Sequence, residues 1–200
     1  MPAVSEAELH EIVSRVVRRT LGLDGPLVFI SESPAGSPAG VSPVASRVVA
    51  LGADHGGYAL KDALKEFVAS LGYAVVDCGT NSADAVDYPD FAYAVARTVS
   101  EGQAWRGIVV DGAGIGSCMA ANKVPGVRAA LCYDHATAVN SREHNNANVL
   151  TLGAGLVGAT LAKQIVETWL KTEFGGGRHE RRVTKIMEIE KRFLKGGGGG

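Results

Sequence analysis

The sequence predicts an α/β domain in which helices cover both faces of a five-stranded, mostly parallel sheet. From residue 47 onward, apolar runs rich in β-branched residues alternate with stretches of helical periodicity, as in a parallel sheet with crossover helices. A glycine-rich turn, residues 111–117, follows one of these apolar runs directly and leads into a helical stretch. Together these observations indicate a doubly wound, Rossmann-like fold whose active edge lies at the carboxyl ends of the strands.

The elements follow in order from the same periodicity. Buried strands are predicted over residues 48–51, 74–77, 107–110, 129–132 and 149–152. Helices are predicted between and after them, over residues 58–71, 91–101, 115–122, 136–142 and 156–171, because apolar residues recur there at helical spacing. A last helix, at about residues 180–194, follows a run of glycines, and the final glycines, 196–200, have the composition of a linker or tail.

Two segments precede this domain. Apolar residues at helical spacing over residues 5–22 predict a short amphipathic helix, contained in a docking extension over residues 1–23. Residues 24–46 carry four prolines among Gly, Ser and Ala, which is typical of an extended or flexible linker. A helix of this length is marginal alone in water, so we expect it to dock on a partner surface. One catalytic domain is predicted to occupy residues 47–195.

Composition excludes several classes of partner. The net charge of -1 supplies no overall field for nucleic acid or anionic lipid, so any anion site must be local. No apolar run approaches the roughly 20 residues that cross a bilayer. Three cysteines without zinc-type spacing, and the lack of a secretory leader pattern, lead us to expect a soluble, cytoplasmic protein with reduced thiols.

The residues that follow each predicted strand are the first candidates for a site, because ligands of doubly wound sheets bind beyond the carboxyl ends of the strands. Asp111 stands at the mouth of the glycine turn, either as a general base or as an acceptor that fixes the loop. The turn itself would let backbone N–H groups close on a phosphate or enolate at a helix N-terminus, through its glycines Gly112, Gly114 and Gly116.

Further titratable groups follow other elements. Asp54 and His55 come after the first strand and suit proton transfer or phosphate binding, although Asp54 could simply cap a helix. His144 ends the helix after the fourth strand, and we expect it to present a ring nitrogen to the same edge, the alternative being an ordinary polar helix end. Arg178 and Arg182 are four residues apart and could grip one phosphate from one helix face, or form a solvated basic turn.

Six motifs between residues 47 and 193 occur in the order and spacing of a known family. They are GADHGGY at 52–58, DYP at 87–89, GAGIG at 112–116, AANKVPGVR at 120–128, SREHNNANV at 141–149 and GGRH at 176–179. Together they resemble the ribose-5-phosphate isomerase type B family, which also contains the galactose-6-phosphate isomerase subunits. The resemblance implies an aldose–ketose isomerase of phosphorylated sugars that uses no metal or other cofactor. It also implies a dimer or tetramer whose sites are each built from two subunits.

The same resemblance implies roles for individual residues. Asp54 and His144 would assist ring opening, and residues 112–117, ending at Ser117, would stabilise an enediolate. That Asp111 is the catalytic base is our own hypothesis from its position at the glycine turn. The groups that would bind the sugar and its phosphate are His55, Tyr88, Asn145, Arg178 and Arg182.

The chain departs from the family pattern at the base. Many members carry Cys where this chain has Asp111 and Thr where it has Ala113, and another branch carries a Glu base at the position of Ser117. A carboxylate can abstract the C2 proton if the site is desolvated; otherwise Cys118 would have to serve. Three hypotheses remain: isomerisation of ribose 5-phosphate through a cis-enediolate, isomerisation of a six-carbon or deoxy sugar phosphate, and sugar-phosphate binding without catalysis.

The N-terminal extension resembles the encapsulation peptides that direct cargo into bacterial microcompartments. The resemblance implies a shell protein as the partner of residues 5–22 and a location in the compartment lumen. Two alternatives are a helix that lies on a membrane surface, although residues 5–22 hold no Trp or Phe anchor, and an extra helix packed in the oligomer.

Overall fold

The computed structural model describes residues 47–194, and it confirms the predicted five-stranded sheet. All four strand pairings are parallel, and the strands lie in the order β2-β1-β3-β5-β4. The strands are β1 (Val48–Ala53), β2 (Ala74–Asp77), β3 (Arg106–Asp111), β4 (Ala129–Leu131) and β5 (Val149–Gly153). The middle strands β1, β3 and β5 are the most deeply buried, as expected from their continuous apolar runs.

Helices cover both faces of the sheet, as predicted. They are α1 (Tyr58–Ser70), α2 (Tyr88–Ser100), α3 (Ile115–Ala121), α4 (His135–Glu143), α5 (Ala159–Lys171) and α6 (Glu180–Leu194). One apolar core lies between the sheet and α1, α4 and α5, with the Trp169 side chain fully buried in it. A second, smaller core lies between the sheet and α2 and α3. Side chains of each strand alternate between these two cores, so Ile108 and Val110 face one and Val109 faces the other.

Two predicted helix starts are wrong by three residues. Helix α2 begins at Tyr88 rather than at residue 91, because Pro89 lies in the first turn, where its missing N–H costs no hydrogen bond. Helix α5 begins at Ala159 rather than at residue 156, because the N–H groups of Leu156 and Val157 donate to the Gly153 carbonyl and form a turn.

The remaining predicted segments lie outside the described residues: the helix at 5–22, the linker at 24–46 and the glycine tail at 196–200. Across residues 47–194, no helix is both long enough and apolar enough to cross a bilayer.

The parallel strands give the sheet two different edges. All five strands end at one edge, here called the carboxyl edge, and begin at the other, the amino edge. Each crossover helix returns the chain from the carboxyl edge to the amino edge. Because Asp111 pairs with Gly153 at the end of β5 and Gly107 pairs with Val149 at its start, the two edges are about 13 Å apart along the strands.

A buried ion pair lies near the carboxyl edge, between α1 and β2. The Lys61 side chain is fully buried, and its Nζ donates to both carboxylate oxygens of Asp77 at 2.8 Å. Lys65, which is half-exposed, donates to Oδ2 of the same carboxylate at 2.8 Å, and the Gly79 N–H donates to Oδ1 at 2.9 Å. Burial by itself raises the pKa of Asp77, but these hydrogen bonds outweigh it and lower the pKa to about 2.

We expect this carboxylate to make the fold acid-sensitive. Its pKa is lower in the folded state than its ordinary value of 3.8, so its contribution to stability is present above pH 4 and is lost as pH falls toward 2. The shift corresponds to about 2 kcal/mol of unfolding free energy, about half of which is lost by pH 3. Urea unfolding of the parent and Asp77→Asn should therefore differ by about 2 kcal/mol at pH 6 and by about 1 kcal/mol at pH 3. An equal difference at both pH values would contradict this expectation.

Candidate active site

The Asp111 carboxylate holds the glycine turn in place by accepting three backbone hydrogen bonds from it. Asp111 is the last residue of β3 and its side chain is buried. The N–H groups of Ala113 (2.8 Å) and Gly114 donate to its Oδ1, and the N–H of Ser117 donates to its Oδ2 at 3.0 Å. A carboxylate offers about four lone pairs, so one on Oδ2 remains for a ligand. The side chain is therefore the acceptor that holds the loop, while its role as a base stays a prediction.

Two glycines of this turn are required by their surroundings. Gly114 has a left-handed φ of 77°, and a Cβ there would lie 2.5 Å from Cδ1 of Leu131. A Cβ on Gly116 would lie 2.6 Å from the ring of Tyr88, the first residue of α2. The Tyr88 ring thus packs directly over the glycine turn.

The loop after β1 lies beside the same turn. The Gly57 N–H donates to Oδ1 of the buried Asp54 side chain at 2.9 Å, so Asp54 does bind the start of α1. A Cβ built on Gly56 would lie 3.4 Å from that oxygen and 3.7 Å from the Gly112 nitrogen, so the two loops meet there. The His55 side chain is exposed, and its Nδ1 lies 3.2 Å from both the nitrogen and the carbonyl oxygen of Val86.

The structure therefore brings one set of predicted site residues together at the end of β1 and β3. We call it the carboxyl-edge cluster, and it consists of Asp54, His55, Tyr88, Asp111 and residues 112–117.

A second set gathers elsewhere and is called the amino-edge cluster: His144, Asn145, Arg178, His179 and Arg182. The rings of His144 and His179 stack with centroids 4.1 Å apart and an interplanar angle of 7°. Asn140 hydrogen bonds to His144 Nδ1 at 2.8 Å, and the Asn145 amide donates to Asn140 at 3.2 Å. The cluster thus joins the end of α4 to the turn before α6.

The expectation that His144 faces the same edge as Asp111 is wrong within one chain. His144 follows the last residue of α4 and comes five residues before the start of β5, which places it at the amino edge. The physical reason is that a crossover helix runs opposite to its strands, so its last residues lie far from the strand ends.

The expectation that Arg178 and Arg182 share one helix face is also wrong in part. Helix α6 begins at Glu180, so Arg178 lies in the preceding turn, and both guanidinium groups are exposed. His179, between them, was not predicted as a site residue, although the GGRH motif contains it. Its pKa is lowered, first by burial and then by the positive charges of His144, Arg178 and Arg182.

The side chains of Cys118 and Ser117 are relevant to the identity of the catalytic base. Cys118 Sγ donates to the Ala129 carbonyl at 3.4 Å, at the start of β4, so the thiol points toward the amino edge rather than into the carboxyl-edge cluster. The Ser117 hydroxyl is buried and has no hydrogen-bond partner in the described part of the chain. Within residues 47–194, no three imidazole, thiol or carboxylate side chains are arranged to hold a metal ion.

Known proteins match most of the described domain in sequence and in structure. The model of the ribose/galactose isomerase family matches residues 49–186. Ribose-5-phosphate isomerase B of Escherichia coli (strain K12) is 43% identical over 144 residues, which cover 72% of this chain and 97% of that protein.

Solved structures agree with the sequence matches. The ribose-5-phosphate isomerase B of Clostridium thermocellum is 53% identical, with a TM-score of 0.72 over 73% of this chain and 99% of that one. The enzyme of the same name from Mycoplasma genitalium, solved with bound ribulose 5-phosphate, is 44% identical, with a TM-score of 0.71 over 73% of this chain and 97% of that one.

Proposed function

The chain belongs to the ribose/galactose isomerase family, and from this premise we propose that it interconverts ribose 5-phosphate and ribulose 5-phosphate. It is an aldose–ketose isomerase, the activity shared by its relatives. The observation that supports the proposal best is the buried Asp111 carboxylate, which keeps one lone pair at the mouth of a glycine turn. A desolvated carboxylate fixed in this way can take a proton from a carbon acid.

In the proposed reaction, Asp111 removes the C2 proton of the open-chain aldose, and the negative charge that develops on the C1 oxygen gives a cis-enediolate. A proton then moves from the C2 hydroxyl to the C1 oxygen, and protonated Asp111 returns a proton to C1, which gives the ketose. The N–H groups of Ile115 and Gly116 are not used by Asp111, so they are available to the developing enediolate charge. Asp54 lies beside the same turn and assists the opening of the sugar ring.

The phosphate and ring-opening groups of the amino-edge cluster cannot reach Asp111 of their own chain, because about 13 Å of sheet separates the two edges. We therefore infer a homodimer in which the amino-edge cluster of one protomer completes the carboxyl-edge cluster of the other. His144 and Asn145 then meet the sugar, while His55, Arg178 and Arg182 hold its phosphate.

An apolar groove beside the amino-edge cluster supports this dimer. It has a volume of about 1060 Å³ and lies between the edge strand β4, α4 and α6, with Asn145 at its wall. No residue of α6 is buried, and Phe193, on the groove, is 82% exposed. Helix α6 accepts two hydrogen bonds from the described part of its own chain: the Gly126 N–H donates to the Glu190 carboxylate, and the Arg128 guanidinium donates to Met187 Sδ. A second copy of the chain is the proposed occupant, because the site is incomplete without it.

Proton NMR with ribose 5-phosphate in deuterated water tests the function. We expect loss of the C2 proton signal together with the appearance of ribulose 5-phosphate. The second candidate function is isomerisation of a six-carbon or deoxy sugar phosphate, and it is favoured by Asp111 and Ala113 at positions where many family members carry Cys and Thr. A matched panel of these sugar phosphates, assayed in the same way, distinguishes it from the first. Binding without turnover of any of these compounds would instead indicate a non-catalytic subunit.

We also propose that residues 5–22 bind a shell protein and carry the enzyme into a microcompartment lumen. The amphipathic pattern and the proline-rich linker that follows it support this proposal. Deletion of residues 1–24 should leave folding and activity unchanged and abolish co-sedimentation with shell protein. A deletion variant that unfolds or loses activity would assign this segment to the packed core of the oligomer instead.

A further inference from the structure

The Lys61–Asp77 pair lies outside the proposed site but is connected to it on two sides. On the β2 side, Asp77 Oδ1 accepts the Gly79 N–H at 2.9 Å. Gly79 and its neighbour Thr80 bind both backbone groups of Ala53: the Ala53 N–H donates to the Gly79 carbonyl at 2.6 Å, and the Thr80 N–H donates to the Ala53 carbonyl at 2.7 Å. Ala53 immediately precedes Asp54 and His55, so these bonds hold the start of their loop.

On the α1 side, Lys61 belongs to the helix whose N-cap residue, Gly57, is bound by the Asp54 side chain. The Lys61 N–H donates to the Gly57 carbonyl at 2.8 Å, and the Gly57 N–H donates to Asp54 Oδ1 at 2.9 Å. The side-chain ammonium then crosses to Asp77, and it also lies 3.3 Å from Asp62. The ion pair thus joins the two elements between which the Asp54–His55 loop is held.

A fully buried ammonium is an expensive way to stabilise a fold, because an apolar pair of similar volume often does so equally well. An apolar pair, however, cannot accept the Gly79 N–H, and so it cannot orient the Gly79–Thr80 segment that hydrogen bonds to Ala53. We propose that Lys61 and Asp77 are positioning residues that hold Asp54 in the geometry needed for ring opening. This inference rests on the proposed function of the same site.

The experiment compares two reactions of the full-length enzyme. Turnover of ribose 5-phosphate requires ring opening, because the substrate is largely a furanose. Ribulose 5-phosphate carries its phosphate on O5 and cannot form that ring, so uptake of deuterium at its C1 from deuterated water reports proton transfer alone. In Lys61→Met/Asp77→Leu, we expect kcat for ribose 5-phosphate to fall at least about 10-fold, while deuterium exchange into ribulose 5-phosphate stays within about 2-fold.

Lys65→Met is the matched control, since it removes the half-exposed ammonium from the same carboxylate. Both of its rates should stay within about 2-fold of the parent. Asp77→Asn, which retains an acceptor for Gly79 and similar volume, guards against misfolding of the double variant and should show a selective loss of about 3-fold. Parallel loss of both reactions, or no loss of either, in the folded variants would overturn the inference. Failure of the parent enzyme to isomerise ribose 5-phosphate would instead overturn the proposed function.

Discussion

Asp111→Asn should lower kcat/KM for ribose 5-phosphate by about a thousand-fold, the range expected when a general base is removed. The amide keeps one oxygen for the N–H groups of Ala113 and Gly114 but cannot accept a proton from C2. Steady-state kinetics and deuterium exchange at C2 should fall together, because both depend on the same proton transfer.

Two controls accompany this variant: one separates the role of Asp111 as a base from its role as the acceptor that holds the glycine turn, and the other tests Cys118 as an alternative base. Affinity for ribitol 5-phosphate, which has no carbonyl group, should change little in Asp111→Asn if the turn stays closed, and calorimetry measures it. Cys118→Ser should retain activity within about 2-fold, because its thiol points toward Ala129. Full activity of Asp111→Asn together with an inactive Cys118→Ser would make the thiol the base.

The second large effect is the recovery of activity when two inactive variants are mixed. Asp111→Asn damages the carboxyl-edge cluster and Arg178→Ala the amino-edge cluster, and each homodimer alone should be nearly inactive. In a hybrid dimer, one shared site carries both lesions and the other carries none. Random reassociation makes about half of the dimers hybrids, so about a quarter of the parent activity should return.

A second mixture provides the control for this recovery. Asp111→Asn mixed with Asp54→Asn places both lesions in the carboxyl-edge cluster, so every site of every hybrid is damaged and no activity should return. Activity is measured after refolding the chains together from urea. If neither mixture regains activity although hybrids form, the sites do not span two protomers.

Much of the fold could be predicted because its signals are local. A strand buried on both faces must be apolar along its whole length, so β1, β3 and β5 are visible in the composition of the chain alone. The starts of α2 and α5 were predicted less well, because composition alone does not show where a helix begins. Pro89 is typical of a loop but lies in the first turn of α2, and the apolar residues Leu156 and Val157 are typical of a helix but form a turn on the Gly153 carbonyl.

The site was predicted only where a residue's position follows from the end of a strand. Asp54 and Asp111 follow β1 and β3, and adjacent parallel strands necessarily end side by side. His144 follows a helix, and the direction of that helix relative to the sheet puts it at the amino edge. Lys61 has the periodicity of a helix residue and the charge of a surface residue, and nothing local indicates that it is buried.

The sequence by itself determined the kind of fold, the order of its elements and the glycine turn that follows β3, because these depend on periodicity and on backbone freedom at single positions. Only the tertiary structure decided that three N–H groups close on Asp111, that Lys61 is buried against Asp77 and that His144 stacks on His179. It also separated the site residues into two clusters at opposite edges of the sheet. The physical reason is that these contacts join residues far apart in the chain, and their geometry depends on how the strands are arranged and how the helices pack.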